Sequence, residues 1–157
     1  MISTTIEGVI DEKIKKTVIT KKKWYRDIHD IVTRFLKESP RLLKSTYDIS
    51  VVLIDEDRMR RLYATYKGKN RVTDVLSFFY GEAEGESRPQ GEVFICLPQA
   101  LRQASRYHIS PIHEIARLVI HGFLHIYGYD HQKKQQRTVM RSCERIIFRL
   151  CKKENLC

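Results

Sequence analysis

The chain lacks the features that assign a protein quickly. No apolar run in its 157 residues approaches the ~20 needed to cross a bilayer, and there is no internal repeat or long linker. The first twenty residues carry Glu7, Asp11, Glu12, Lys13, Lys15 and Lys16 and no apolar signal core, so neither export nor membrane insertion is expected. The cysteines Cys96, Cys143, Cys151 and Cys157 form no C-x-x-C pair. Without an export signal they read as thiols of a cytoplasmic protein rather than a disulfide framework. Acidic residues are few beside basic ones: 19 Asp and Glu against 29 Lys and Arg, a formal net charge of +10. The excess lies toward the two ends of the chain. Such a field attracts polyanions (RNA, DNA or an anionic membrane surface), although a solvated basic surface has the same composition.

What is present fits a globular protein, with 42% hydrophobic and 31% charged residues. The length points to a single domain over residues 1–157. Two short apolar segments, Ile6–Ile10 and Thr17–Thr20, suggest an edge strand. From Lys23 to Glu38, Trp24, Ile28, Ile31, Val32, Phe35 and Leu36 recur at helical spacing, and Pro40 stops the helix. Tyr47 to Ile54 reads as a buried strand. Asp55 caps a helix with Met59, Leu62, Tyr63 and Tyr66 on one face, and residues 67–70 form a turn. Asp74–Tyr80 and Glu92–Leu97 read as two strands of a hairpin around a Gly- and Glu-rich loop. Helices follow: one opened by Ser110 and Pro111 and closed by Gly128, and a last one over about 133–152 with Val139, Cys143, Ile146, Ile147 and Leu150 inward. Strands come early and helices late, so the class is α+β.

The chemistry lies in the run from His121 to His131, which reads HGFLHIYGYDH. His121 and His125 stand four apart on a helix, on one face and one turn apart, so both imidazoles reach one ion. Gly128 ends the helix, and the chain turns back to bring His131 to the same point. Three imidazoles with an open fourth position describe a catalytic zinc site, though three imidazoles also suit other transition metals. The spacing is that of the metzincin proteases, whose first histidine is followed by a Glu acting as general base. Here Gly122 holds that position and can neither take nor give a proton. Asp130 reads as either a turn residue or a partner for a ligand imidazole, and Glu114 as a groove or structural residue. His29, His108 and His113 read as bland. The last helix sets Arg137, Arg141, Arg145 and Arg149 four apart, a basic stripe suited to RNA phosphates.

The histidine run resembles the signature of the YbeY family of bacterial endoribonucleases of ribosomal RNA maturation, H-G-x-L-H-x-x-G-Y-D-H, at every specified position. The segment from Leu62 to Phe78 is similar to a second family block, L-N-x-x-Y-R-x-x-D-x-P-T-D-V-L-S-F, and Gly91–Val93 to a strand start. The chain departs from the pattern at Tyr63, Asn70 and Val72, and Lys67 stands where the family has Arg. Lysine keeps the charge and loses the planar fork. The resemblance implies a small mixed sheet packed against several helices, with the metal in a cleft beside the Thr73–Phe78 strand. It implies zinc-dependent cleavage of single-stranded RNA, tied to the 3′ end of 16S rRNA and to ribosome quality control, with RNA and the ribosome as partners. Lys67 would contact phosphate, and Thr73, Ser77, Arg137 and Arg141 would bind substrate. Two other functions are weighed against it. A zinc hydrolase of peptides or amides lacks its base at Gly122. A ribosome assembly factor with a structural metal would unfold when the metal is removed.

Overall fold

The computed structural model describes residues 2–6, 24–37, 47–82 and 89–156. Along them run β1 (Ile2–Ile6), α1 (Trp24–Lys37), β2 (Asp48–Ile54), α2 (Glu56–Lys67), β3 (Val75–Glu82), β4 (Pro89–Cys96), α3 (Leu97–Arg106), α4 (Pro111–Ile126) and α5 (Lys134–Lys153). The α+β class expected from the sequence is the one observed. Local chemistry sets the helix ends. Asp55 accepts the Arg58 N–H at 2.8 Å to start α2, and Gly68 closes it at φ 65°. Ser110 accepts the His113 N–H at 3.1 Å, with Pro111 in the first turn of α4.

The sheet is mixed, in the order β1-β2-β4-β3. β1 and β4 both run parallel to β2, while β3 pairs antiparallel with β4 and forms an edge. Ile49, Val51 and Leu53 of β2 join Val93 and Ile95 of β4 in one apolar cluster. Val52 and Ile54 join Phe94 and Cys96 in another. This alternation is the period of two that puts successive side chains on opposite faces. The first cluster is covered by α1, α4 and α5, with Leu97 and Ala100 of α3. The second is closed by Met59 of α2, with Leu62 and Tyr63 against it. No helix among the described residues is long and apolar enough to cross a membrane.

Three expectations are corrected. The edge strand is Ile2–Ile6, ahead of the two apolar segments that suggested it; residues 7–20, like Pro40, lie outside the described residues. The loop between β3 and β4 is shorter than composition implies. β3 continues to Glu82 and β4 begins at Pro89, with a bulge between Phe79 and Gly81 and Gly81 at φ 74°. A bulge glycine and a strand-initial proline are both compatible with pairing, so the antiparallel ladder extends through them. In α5 the buried stripe is Met140, Cys143, Ile147 and Cys151, while Val139 and Ile146 are 47% and 44% exposed. One residue along a helix turns a side chain by about 100°, enough to move an apolar position out of the core.

Candidate metal centre

α4 presents His121 and His125 one turn apart, and Gly128, at φ 80°, redirects the chain so that His131 returns to them. One ring nitrogen from each of the three lies within 4.8 Å of the others. Nε2 of His121 and Nε2 of His125 face each other at 3.1 Å. Two nitrogens sharing one tetrahedral zinc at about 2.0–2.1 Å stand roughly 3.3 Å apart, so the donor set fits a divalent ion. Among the described residues no carboxylate or thiol joins the cluster, which leaves a coordination position for water or substrate.

The rings are held from behind. His121 Nδ1 lies 2.6 Å from Glu144 Oε1, on α5. The His125 ring is hydrogen-bonded to the Tyr129 backbone. With Nδ1–H of His121 donated to the carboxylate, its Nε2 lone pair faces inward, the arrangement that fixes a ligand's tautomer and orientation. Burial, ahead of the neighbouring His121 and His131 rings, holds the His125 imidazole down to about 4. It is therefore neutral at pH 7 and able to ligate.

Gly122 has a steric reason as well as a chemical consequence. A Cβ there would lie 2.5 Å from Val93 Cγ1 and 3.0 Å from Ser77 Oγ. The histidine helix seats directly on the sheet at this point, and no side chain, carboxylate included, fits in the gap.

The structure gathers the sequence-predicted residues around the three histidines. His121, His125 and His131 line a cleft of about 620 Å³ with Lys67, Thr73 and Ser77. Arg137 and Arg141 line an adjoining cavity of about 290 Å³ that shares His121 and His131. Two of these residues also hold the site itself. The Thr73 hydroxyl donates to Asp74 Oδ1 at 3.3 Å, and Arg137 Nε donates to the His131 carbonyl at 3.3 Å. Asp130 takes the turn role, accepting the His131 N–H at 2.7 Å. Glu114 is fully buried and meets Arg117 at 2.6 Å, and Arg117 reaches Asp74 at 3.9 Å. It is a structural charge. His113 packs on Phe148 and His29 bonds the Tyr127 hydroxyl at 2.7 Å, both away from the three histidines. Glu144 escaped sequence reasoning. Its one signal is that it is the only acidic residue of a strongly basic helix.

A family model described as Endoribonuclease YbeY matches residues 9–152. The chain belongs to the endoribonuclease YbeY family. A relative of that name from Staphylococcus saprophyticus is 35% identical over 130 residues, covering 79% of this chain and 84% of the relative. Another, from Desulforamulus reducens, is 40% identical over 109 residues, 64% of this chain and 70% of its own length. The solution structure of TM1509 from Thermotoga maritima shares the fold, with a TM-score of 0.58 and 21% identity over 99% of this chain and 95% of that one. Membership of the YbeY family makes this chain one of a group of RNA-cleaving hydrolases. Within the family pattern quoted above, Lys67 for Arg is the departure that lies in the cleft.

Proposed function

We propose that this chain is a zinc-dependent endoribonuclease acting on single-stranded RNA in the cytoplasm. Its role would be maturation of ribosomal RNA at the 3′ end of 16S and ribosome quality control, in contact with the ribosome. One observation carries the reading: three convergent imidazoles with an open position share a cleft with a cation, Lys67, in a chain of net charge +10. The relatives named Endoribonuclease YbeY support its coarser part, cleavage of RNA. A zinc ion bound there supplies Lewis acidity toward a phosphoryl oxygen and acidifies bound water.

The chain's own groups do the rest. His121, His125 and His131 hold the ion, and Glu144 keeps the His121 ring turned toward it. Lys67 offsets negative charge on the scissile phosphate as a point charge rather than a fork. Thr73 and Ser77 offer hydroxyls along the cleft wall, and Arg137 and Arg141 draw the strand toward His121 and His131 through the adjoining cavity. Nothing at position 122 acts as a base.

The test is incubation of the full chain with labelled single-stranded RNA, with and without chelator, beside His125→Ala. Cleavage should be lost on chelation and in the variant, and return when zinc is restored. Tight RNA binding without cleavage under any added metal would overturn the reading and favour an assembly factor.

A further inference from the structure

One aromatic side chain in the cleft leaves about half of its surface open. Phe79 is 52% exposed, and it lines the same cleft as Lys67 and the three histidines. It lies on β3, one of the two edge strands of the sheet. Along that strand Leu76 and Phe78 pack with the cluster under α2, whereas Ser77 lies against Gly122 of α4. Alternation therefore puts Phe79 on the side of the histidines.

The ring is braced from behind. Tyr47 lies 5.5 Å from it, Tyr127 stacks on Tyr47 at 4.7 Å, and His29 bonds the Tyr127 hydroxyl. Tyr127 and His29 are buried, so this aromatic row is rooted in the core and ends at an open ring in the cleft. The contrast with Tyr66 is informative. Tyr66 is similarly exposed, at 57%, but it covers Phe78 at 4.5 Å on the other face of the sheet and does not line the cleft.

We propose that Phe79 is a stacking platform for an unpaired base of the RNA strand whose phosphate lies at the metal centre. The proposal rests on the endoribonuclease reading and deepens it. Every base has a π-face, so such a platform accepts any sequence. A base inside a duplex is already stacked and paired, and cannot reach the ring without being extruded. The platform thus gives this site a physical preference for single strands. Lys67 in the same cleft favours an anionic strand over an apolar peptide as the occupant.

The experiment uses the metal-loaded full chain with an RNA octamer, as single strand and as duplex. KM and kcat are measured, and the fluorescence of 2-aminopurine is followed at successive positions of a deoxy octamer. Phe79→Ala should raise KM for the single strand roughly tenfold, move kcat far less, and narrow the preference over duplex; Phe79→Tyr should restore it. The wild type should quench 2-aminopurine at one position and Phe79→Ala should not. Melting curves check the fold, and Phe79→Leu, which keeps the bulk without the π-face, repeats the readout if the alanine variant is unstable. Wild-type cleavage with unchanged KM and unchanged quenching in both variants overturns the platform alone. Absence of cleavage under every added metal overturns the endoribonuclease reading, and the quenching then decides the platform by itself: dependence on Phe79 upholds it, independence overturns it.

Discussion

On one face of the sheet, Ile49, Val51, Leu53, Val93 and Ile95 meet side chains from α1, α3, α4 and α5. On the other, Val52, Ile54, Phe94 and Cys96 meet α2, through Met59, Leu62 and Tyr63. The metal centre is built on the heavily covered face. α4 buries Leu118, Val119, Ile120, Phe123 and Leu124 there while turning His121 and His125 to the cleft. Ligands to one ion must be held to a fraction of an ångström, and a close-packed helix supplies that rigidity. The lighter face contributes Lys67, at the C-terminal end of α2, a long side chain whose charge can act without a rigid seat.

The largest break in this comparison is His125→Ala. It should reduce RNA cleavage to background while leaving the core of the heavy face and its melting transition intact, as an activity assay and a thermal melt on the same sample would show.

Next come paired substitutions in the two cores. Met59→Ala, on the light face, should cost about 2–5 kcal/mol of stability. Activity per folded molecule should be unchanged. Gly122→Ala, on the heavy face, should gain up to about 1 kcal/mol of helix preference. The clash with Val93, at roughly 1–3 kcal/mol, should outweigh it and leave a net loss of up to about 2 kcal/mol. Here activity should fall as well, because the helix bearing the ligands is lifted. Urea melts with parallel kinetics check both, and an active Gly122→Ala enzyme would show that the site tolerates a shift of α4.

Glu144→Gln keeps the shape and removes the charge behind His121. Metal affinity should weaken about 10–100-fold by equilibrium dialysis, with little change in melting temperature.

The last prediction is a pH dependence, carried by His29 in the heavy core. Burial, against a partial pull from Asp30, lowers its pKa from 6.5 to about 4. As pH falls, the unfolded chain takes up the proton first. Stability is therefore whole above pH 6.5 and falls by about 1.4 kcal/mol per pH unit until about 4, where the folded state also protonates. His29→Gln should flatten that part of the urea-midpoint profile relative to the wild type.

What the sequence made legible was local. The three histidines lie within eleven residues, and a helical turn plus one glycine bring them together without knowledge of the rest of the fold. Helix ends at Asp55, Gly68 and Ser110 were readable for the same reason, since each cap is a contact within a few residues. Contacts between distant elements were not. Glu144 meets His121 across 23 residues and two helices. The order β1-β2-β4-β3 depends on which strands pair, and short apolar runs do not encode it. Val139 and Ile146 have the spacing of an inward face, but the face that meets the core belongs to Met140 and Ile147. Phe79 looked like any strand residue until its position on an edge strand beside the cleft was known.

The central claim is that His121, His125 and His131 hold one ion in an open site that the fold does not require. Metal content per chain, measured with the thermal melt of the same samples before and after chelation, tests it most directly. One ion in the wild type, none in His125→Ala and closely similar melting curves in all samples are predicted. An ion retained by His125→Ala, or a chain that unfolds when the ion is removed, would contradict it.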